Sequence, residues 1–301
     1  MKILFLGLSD ILQKKILPSI DGVKKIKYII SSKKKKYKNK KIKINYSNYY
    51  KAINYSKANI IYISLINSLH FNLCKYCLKK NKHVIVDKPL ATNSKEYDYL
   101  INLAKRKKIL LIEATVFHYS KRFNDLIKLI NFKKKTLIDI NFFIPKLDKY
   151  NFRNNSKLGG GCYNDMSPYA IKCIDIFLKK NFFLYNFRST IKKKLNTGFK
   201  FQARDSNTKI KCNFGFNKKY RNIISIKNGK NILTYPMAFS QQLGSEQNII
   251  INQKSKKYTN DNTFKNFFKM TQKVLKNKKY DNYYTELERL NLIRKKIETK
   301  F

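Results

Sequence analysis

Two separated stretches of the sequence hold most of the side chains that could carry out acid–base chemistry. The first, residues 83–89, reads His-Val-Ile-Val-Asp-Lys-Pro and closes an apolar, β-branched run with Lys88. The second, residues 159–169, begins with three glycines and contains Asp165 and, four residues later, Tyr169. An amine, a carboxylate and a phenol can move a proton on and off a sugar oxygen while a cofactor exchanges a hydride. We therefore take Lys88, Asp165 and Tyr169 as candidate catalytic residues.

The composition indicates a globular chain of two domains. Its 301 residues are 43 % hydrophobic, enough for a sizeable core. The net charge of +48 is typical of nucleic-acid-binding proteins, but only eight of the 66 basic residues are Arg, and the Lys residues are spread along the whole chain. Lys, Asn, Ile, Tyr and Phe, which have A/T-rich codons, are all abundant. We interpret the charge as a product of genome composition and predict no nucleic-acid partner.

The cysteines favour a reduced, cytoplasmic protein. There are five, an odd number without regular spacing. Cys74 and Cys77 form a Cys-x-x-Cys pair inside a predicted helix, where neither a second pair nor a nearby His completes a four-ligand set. We predict a structural role for this pair and no metal. The apolar stretches are too short for a membrane span, so no membrane partner is expected.

The first part of the chain alternates between strands and helices, as a parallel sheet requires. Strands buried on both faces appear as continuous apolar runs, and several are present here. We predict a Rossmann dinucleotide-binding domain over residues 1–117. The predicted strands are 2–6, 27–30, 41–46, 60–65, 83–86 and 109–114, and the predicted helices are 11–20, 49–55, 68–82 and 94–107.

Beyond residue 117 the pattern changes to consecutive strands, which predicts a mainly antiparallel sheet. We expect residues 118–301 to form an α/β domain for substrate binding and oligomerisation, with closing helices that can pack back on the first domain. The outer face of such a sheet needs a cover, which favours a homo-oligomer, a dimer or a tetramer. The predicted helices are 121–130, 168–179, 263–276 and 284–297, and the predicted strands are 137–144, 182–192, 199–204, 209–216, 222–227 and 231–235, with a hairpin turn at Asn228-Gly229.

The turn after the first strand is the predicted place for a pyrophosphate. Glycines there let the backbone approach the phosphates at the beginning of a helix. Here Gly7 remains, while Ser9 and Asp10, followed by Ile11, occupy the positions where further small residues are expected. An ordinary tight turn is the alternative interpretation of this fragment.

The end of the second strand bears on the choice of cofactor. An NAD site usually places an acidic residue here for the ribose hydroxyls, and none is present. Ser31, Ser32 and Lys33 suit a 2′-phosphate instead, so the sequence favours NADP over NAD. Leu65, Asn67 and His70 follow the fourth predicted strand and Lys88 the fifth, and the carboxyl ends of parallel strands are where ligands bind. A capping role is the alternative for Asn67.

Taken in order, these segments resemble the glucose–fructose oxidoreductase / inositol dehydrogenase / rhizopine catabolism (Gfo/Idh/MocA) family. That family has a strand ending in Glu-Lys-Pro, where this chain has Asp87-Lys88-Pro89. Its Tyr-Ile-x-x-x-Asn-x-x-His pattern is matched by Tyr62, Ile63, Asn67 and His70, and its Gly-Gly-Gly, Asp, then His or Tyr pattern by residues 159–161, Asp165 and Tyr169. Tyr169 and the turn over residues 7–18 are similar to the sugar 3-ketoreductase branch. Glu113 and the Asn-Phe-Arg sequence at 151–153 also fit.

The resemblance implies an NAD(P)-dependent oxidoreductase acting on a sugar, a nucleotide sugar or a cyclitol. In the reducing direction Tyr169 would donate the proton, Lys88 would steady the alkoxide, and Asp165 would orient the ring. Asp87 and Glu113 join the candidate cofactor-binding residues. The departures are Asp87 in place of Glu, Ser167 in place of Gly, and the eroded glycine turn. These motivate an alternative hypothesis, a non-catalytic sensor that keeps the cofactor site.

The sequence around Tyr169 also predicts its electrostatic setting. Ser167-Pro168 reads as an N-cap followed by a proline at the first helical position, which would begin a helix there. Tyr169 would then lie in the first turn, where the helix dipole and Lys88 favour a phenolate. A packed aromatic is the alternative, because Tyr is abundant, with 21 residues.

Overall fold

The computed structural model describes residues 1–21, 23–33, 48–241 and 243–300. The chain divides into two compact units. The first comprises Met1–Thr115 and Phe264–Asn291, and the second comprises Val116–Thr263 and Leu292–Phe301.

The described part of the chain contains eight α-helices. A π-helical turn over Leu12–Ile16 precedes the first, and a 3₁₀ turn over Asn67–Leu69 precedes the third. The helices are α1 Leu17–Ile20, α2 Tyr49–Tyr55, α3 His70–Lys79, α4 Ser94–Lys107, α5 Lys121–Lys128, α6 Cys162–Phe177, α7 Thr263–Asn277 and α8 Asp281–Glu298.

The first unit is built on a parallel sheet whose strands are almost wholly apolar, as predicted. Its described strands follow the order β2-β1-β3-β4-β5, and all four residues of β3 are buried. The strand predicted at 41–46 lies outside the described residues. The strands are β1 Lys2–Leu6, β2 Lys27–Ser31, β3 Ile60–Ile63, β4 His83–Asp87 and β5 Leu111–Ala114.

The closing helices contribute to the core of the first unit. On α7, Phe268 stacks on the ring of Tyr62 with centroids 6.1 Å apart. On α8, the Tyr284 hydroxyl donates to the Ile109 carbonyl at 2.8 Å. Residues distant in sequence therefore support the strand that precedes the Asn67 segment.

The second unit is built on a sheet of eight described strands in the order β13-β12-β11-β10-β6-β9-β8-β7. The prediction of a mainly antiparallel sheet is confirmed, with β6 and β9 as its parallel pair. The hairpin at Asn228-Gly229 joins β10 to β11 as expected. The strands are β6 Thr136–Phe143, β7 Phe183–Lys192, β8 Leu195–Arg204, β9 Thr208–Gly215, β10 Arg221–Asn228, β11 Asn231–Pro236, β12 Gln247–Ile251 and β13 Lys254–Tyr258.

One face of this sheet carries the core and the other is largely polar. Phe199, Phe201 and Phe214 are each at most 2 % exposed and lie on the face that α6 covers. The opposite face presents outward rows such as Gln202, Lys211, Asp139, Ser225 and Thr234, which are neighbours across β8, β9, β6, β10 and β11.

Among the described helices, none has both the length and the apolar character that crossing a membrane requires.

Candidate functional site

The first unit gathers its candidate residues at one edge of the parallel sheet. Each segment follows or ends a strand, and parallel strands place their carboxyl ends together. The residues at this edge are Gly7, Ser9, Asp10 and Ile11 after β1, Ser31, Ser32 and Lys33 at β2, Leu65, Asn67 and His70 after β3, Asp87 and Lys88 at β4, and Glu113 in β5.

The turn after β1 retains one glycine because no side chain fits there. Gly7 has φ +93°, and a Cβ on it would lie 2.3 Å from the Ser64 carbonyl oxygen. Its N–H donates to the Ser31 carbonyl at 2.8 Å. Ser9 is half-buried, whereas Asp10 and Ile11 are exposed. The turn is therefore packed directly against the end of β3, and its outer residues face solvent.

The three residues at the end of β2 divide between interior and surface. Ser31 and Ser32 are buried, with 0 % and 6 % exposure, while Lys33 is exposed. No carboxylate stands at these three positions, so the charge offered there is that of the Lys33 ammonium.

The buried His70 ring lies within hydrogen-bond distance of two backbone carbonyl oxygens of the first unit. It is fully buried, with Nδ1 2.7 Å from the Pro89 oxygen and Nε2 3.1 Å from the Leu65 oxygen. Burial lowers the pKa of His70, against the raising effects of the Pro89 carbonyl and the Asp87 carboxylate. A neutral ring donates to one carbonyl and an imidazolium to both. His70 therefore positions the turns after β3 and β4, and Asn67 beside it is also buried.

The turn that carries Lys88 is held at the two residues that follow it. The Pro89 carbonyl faces His70, and the Leu90 N–H donates both to Glu113 Oε2 at 2.9 Å and to the Tyr97 hydroxyl at 3.0 Å. The Lys88–Pro89 peptide bond is cis, and Lys88 itself is half-buried. The lysine thus stands on a backbone fixed from several sides.

Glu113 accepts three hydrogen bonds, one of them from this turn. Besides the Leu90 N–H, it accepts from the Tyr97 hydroxyl at 2.5 Å and from Thr115 Oγ1 at 2.7 Å. Three donors satisfy most of what a carboxylate can accept. The structure therefore gives Glu113 an anchoring role for the lysine turn.

Asp87 faces inward from the residue before Lys88. Its oxygens accept from the Tyr62 hydroxyl at 2.7 Å and from Ser64 Oγ at 2.6 Å. Burial raises the pKa of Asp87, opposed by these hydrogen bonds and by the charges of His70 and Lys88.

In the second unit, the glycine triplet packs against the loop that carries Arg153. A Cβ on Gly160 would lie 2.5 Å from the Phe152 oxygen and 2.7 Å from the Arg153 oxygen. The Gly161 N–H donates to the Arg153 carbonyl at 2.9 Å. This close approach brings Arg153 Nε to 3.0 Å from Asp165 Oδ2. Asp165, 6 % exposed, is thus a buried carboxylate with a guanidinium partner.

The helix that carries Tyr169 begins six residues before the position that Ser167-Pro168 predicted. α6 starts at Cys162, with Gly161 as its N-cap residue and Pro168 inside it. The sequence signal misled because the Tyr163 N–H, in the first turn of α6, donates to Asn196 Oδ1 at 2.9 Å, and Asn196 is a distant residue on β8.

The prediction that Tyr169 lies in the first turn is therefore wrong. That place belongs to Asp165, the acidic residue of the first turn. The helix dipole acts mainly within the first turn, so it favours the Asp165 carboxylate and gives little to the Tyr169 phenol.

Tyr169 is half-buried against an aromatic cluster. Its ring centroid lies 4.8 Å from that of Phe239, 5.6 Å from that of Phe142 and 6.1 Å from that of Phe117. Tyr169 also follows Asp165 by four residues, so the two side chains share one face of α6. Packing of the ring and exposure of the phenol to a substrate are compatible, because tyrosine has an apolar body and a polar tip.

Sequence reasoning missed several residues of these clusters. Tyr97 anchors the lysine turn from α4, and only the fold brings it there. Ser64 is joined to Asp87, 23 residues away, with no local signal. Lys172 is different: it is 3 % exposed and lies three residues after Tyr169, on the face that Tyr169 and Asp165 share. Its helical spacing was readable from the sequence.

Comparisons with known proteins relate the first part of the chain to a family. Residues 1–115 match the model of the Gfo/Idh/MocA oxidoreductase family, described by its NAD-binding Rossmann fold. This confirms the predicted resemblance over the first domain, and with it the oxidoreductase class and the NAD(P) cofactor. No curated protein matches the chain in sequence.

Solved structures resemble the whole chain at low sequence identity. The 3-ketoreductase KijD10 from Actinomadura kijaniata, in complex with NADP and TDP-benzene, gives a TM-score of 0.86 at 17 % identity, covering 97 % of this chain and 95 % of that one. Aldose-aldose oxidoreductase from Caulobacter crescentus gives 0.80 at 17 %, covering 100 % and 98 %. The dehydrogenase MviM from Clostridium difficile gives 0.76 at 15 %, covering 99 % of each. These likenesses show the fold.

Proposed function

We propose that this chain, an NAD(P)-dependent oxidoreductase with a Gfo/Idh/MocA-type Rossmann domain, acts on a ring hydroxyl or ketone of a sugar, a nucleotide sugar or a cyclitol. The observation that carries the proposal is the lysine turn. Lys88 stands at the cofactor edge of the sheet on a backbone held through the Pro89 carbonyl and the Leu90 N–H. An ammonium fixed in place costs little reorganisation when an alkoxide forms next to it.

The residues of the first unit fit a nicotinamide dinucleotide. Gly7 keeps the tight turn after β1, which a Cβ would block, and Asp10 and Ile11 face outward beside it. We assign this turn to the pyrophosphate and Ser31, Ser32 and Lys33 to the ribose. When bound, the cofactor supplies or accepts the hydride. Because no acid stands at the end of β2, we expect a preference for NADPH.

The chain's own groups handle the proton and the charge. In the reducing direction, Tyr169 donates its phenolic proton to the oxygen of the ring ketone, and the Lys88 ammonium stabilises the charge on that oxygen. Asp165 accepts hydrogen bonds from neighbouring hydroxyls of the ring. The ion pair with Arg153 and the first turn of α6 both keep Asp165 in its anionic, accepting form.

The substrate class draws support from the structural neighbours. One is a 3-ketoreductase whose structure contains NADP and TDP-benzene, and another is an aldose-aldose oxidoreductase. The second name concerns aldoses, and the first structure contains a TDP derivative. We extend this class to the present chain because the two units repeat the neighbours' fold over at least 94 % of their lengths. None of the five cysteines, all of which the structure describes, forms a disulfide, and all five are buried, in keeping with the proposed cytoplasmic location.

The test is turnover by the whole chain on a panel of keto-sugars and nucleotide keto-sugars, with NADPH and NADH compared. Lys88→Met and Tyr169→Phe should each lower kcat by about 100-fold or more, the scale of a lost acid–base or oxyanion partner. NADPH affinity in Tyr169→Phe should stay within a few-fold. Lys107→Met and Tyr99→Phe, at exposed positions of α4, are the matched controls.

Two results would contradict the proposal. Near-normal turnover in both Lys88→Met and Tyr169→Phe would refute the assigned mechanism. Tight NADPH binding with no reduction of any compound in the panel would instead favour the non-catalytic sensor. The cofactor preference is tested separately by titration, and Ser32→Asp should shift it toward NADH.

A further inference from the structure

The Asp87 carboxylate is the end of a hydrogen-bonded chain of hydroxyls. Oδ1 accepts from the Tyr62 hydroxyl at 2.7 Å, and Oδ2 accepts from Ser64 Oγ at 2.6 Å. Both donors come from β3 and the residue after it, and β3 is the neighbour of β4 in the sheet. Two oxygens that each accept from a hydroxyl match an ionised carboxylate, which can only accept.

The chain continues from Ser64 to the turn after β1. Ser9 Oγ lies 2.6 Å from Ser64 Oγ, and Ser9 Oγ also accepts from the Leu12 N–H at 3.1 Å. Ser64 has one hydroxyl proton, and it goes to Asp87. In the contact between the two serines, Ser9 must therefore be the donor. The direction is fixed throughout: Leu12 N–H to Ser9, Ser9 to Ser64, Ser64 to Asp87.

Two of the three departures from the family pattern, Asp87 and the eroded glycine turn, meet in this chain of hydroxyls. Asp87 is one methylene shorter than the glutamate expected before the lysine, and Ser64 and Tyr62 reach its carboxylate. Ser9 occupies a position where a small residue is expected, and its hydroxyl reaches the other side of Ser64. Ser64, which makes both serine contacts of this chain, is itself only 1 % exposed, so its hydroxyl is shielded from water.

The backbone reinforces the same connection. The Ser64 carbonyl oxygen lies so close to Gly7 that a Cβ on Gly7 would be 2.3 Å from it. The Ser64 N–H donates to the Leu6 carbonyl at 2.9 Å. Ser64 therefore touches the cofactor turn through its main chain and its side chain, while its hydroxyl holds the residue that precedes Lys88.

We propose that Ser9, Ser64 and Asp87 form a positioning relay that couples cofactor binding at the Gly7–Ile11 turn to the placement of Lys88. This inference rests on the proposed function, because it takes that turn as the cofactor site and Lys88 as catalytic. A coupling between two sites is reciprocal: whatever disturbs Lys88 through the relay weakens cofactor binding, and cofactor binding favours the relay.

The experiment measures NADPH affinity by fluorescence titration and kcat on a substrate of the parent enzyme. Its variants are Ser9→Ala, Ser64→Ala, Asp87→Asn and the double variant Ser9→Ala/Asp87→Asn. Each single change should weaken NADPH binding by about 3- to 10-fold, the scale of one lost hydrogen bond. Each should also lower kcat. In the double variant, the fold-loss of NADPH affinity should be clearly smaller than the product of the two single-variant fold-losses. Either single change already interrupts the relay, so the second change has less left to disrupt.

A structural loss alone would not give this pattern. Ser19→Ala removes another buried hydroxyl of the first unit, which donates to the Lys15 carbonyl at 2.5 Å outside the relay. It should leave affinity and kcat within twofold. Ser9→Thr keeps a hydroxyl and should restore most of the affinity lost in Ser9→Ala. It also provides a folded comparison if an alanine variant proves unstable.

Three outcomes overturn the inference in different ways. Multiplicative losses in the double variant would show that Ser9 and Asp87 act independently. Weakened NADPH binding with unchanged kcat in all relay variants would show that the relay serves the cofactor turn alone. If the parent protein binds neither NADPH nor NADH, the proposed function itself fails, which the first titration reveals before any variant is made.

Discussion

Replacing Glu113 with Gln separates two roles for this residue, cofactor ligand and anchor of the lysine turn. Oε2 accepts from the Leu90 N–H and the Tyr97 hydroxyl, and Oε1 accepts from Thr115 Oγ1. The amide oxygen of Gln can keep the two donors at the Oε2 position. The amide nitrogen then faces the Thr115 hydroxyl, which can turn and accept. Glu113→Gln therefore removes the negative charge while every hydrogen bond retains a partner.

The magnitude follows from the difference between charged and neutral hydrogen bonds. A hydrogen bond to a charged group contributes about 1.5–3 kcal/mol, and a neutral one about 0.5–1.5 kcal/mol. The Leu90 N–H and the Tyr97 hydroxyl would donate to a neutral amide oxygen in place of a carboxylate. Glu113→Gln should therefore destabilise the closed form of the lysine turn by about 1–2 kcal/mol. This corresponds to roughly a 5- to 30-fold increase in the population in which the turn is open. Glu113→Ala should cost more, because the Tyr97 hydroxyl loses its acceptor.

The assay is hydrogen exchange of the Leu90 amide, which needs no substrate. We expect exchange to accelerate about 5- to 30-fold in Glu113→Gln, and kcat to fall in parallel. NADPH affinity should change by less than about threefold. Glu288→Gln is the matched control, because Glu288 Oε1 accepts from the exposed Lys105 ammonium on α4 and has no hydrogen bond to residues 88–90 among those described.

The opposite pattern would refute this reasoning. If Glu113→Gln weakens NADPH binding tenfold or more while Leu90 exchange and kcat stay at parental values, Glu113 is a cofactor ligand. The anchoring role read from its three hydrogen bonds would then have no consequence for Lys88.

Three further predictions concern the second unit and the assembly. Gly160→Ala should lower the melting temperature by several degrees, because its Cβ would lie within 2.7 Å of three carbonyl oxygens; an unchanged melting curve would contradict this. Burial raises the pKa of Asp205, but hydrogen bonds from the N–H groups of Lys179, Thr208 and Asn207 outweigh it and hold the pKa below its ordinary value. Asp205→Asn should therefore lose unfolding free energy above pH about 4, with the difference from the parent vanishing in urea titrations as the pH falls through the folded-state pKa. Light scattering should show a dimer or a tetramer at micromolar concentration, and a monomer would contradict that expectation.

Elements with local signals were predicted most accurately. Helix α4 begins and ends at the predicted residues, because its caps lie within a few positions of it in sequence. Asn93 accepts from the Glu96 N–H at 3.0 Å, and Lys108 ends the helix with φ +53°. The parallel strands were found for a related reason: burial on both faces gives an unbroken apolar run that needs no knowledge of the partner strand.

The missed elements lack local signals. Strand β13, Lys254–Tyr258, lies at an edge of its sheet, and four of its five residues are exposed. Lysines on an edge strand oppose pairing with another chain, and they also remove the apolar alternation that would have marked the strand. The beginning of α6 was missed because its cap, Asn196, comes from a strand more than 30 residues later in the chain.

The candidate site shows the same division between residue types and their partners. The sequence allowed Lys88, Asp165 and Tyr169 to be predicted as reacting groups, because their residue types and spacing suit the chemistry. It could not predict the contacts that hold these residues in place. Tyr97 and Glu113 reach the lysine turn from α4 and β5, and Arg153 reaches Asp165 through the close packing of Gly160. Such contacts depend on the fold and carry no spacing of their own.

The turn after β1, with glycine kept only at Gly7, bears on the choice between an active enzyme and a non-catalytic sensor. Counted as a motif, the loss of glycines at Ser9 and Asp10 suggests weakened cofactor binding and a regulatory protein. In the structure, Gly7 is kept at the one position of this turn where a Cβ would clash. Ser9 stands where a further glycine is expected, and its hydroxyl is hydrogen-bonded to Ser64. A buried hydroxyl without a partner would cost about 1–3 kcal/mol, so a turn decaying without function would be expected to show unpaired polar groups. Ser9 and Ser64 are instead both satisfied, and their chain ends on the residue before Lys88, which favours an active enzyme over a sensor.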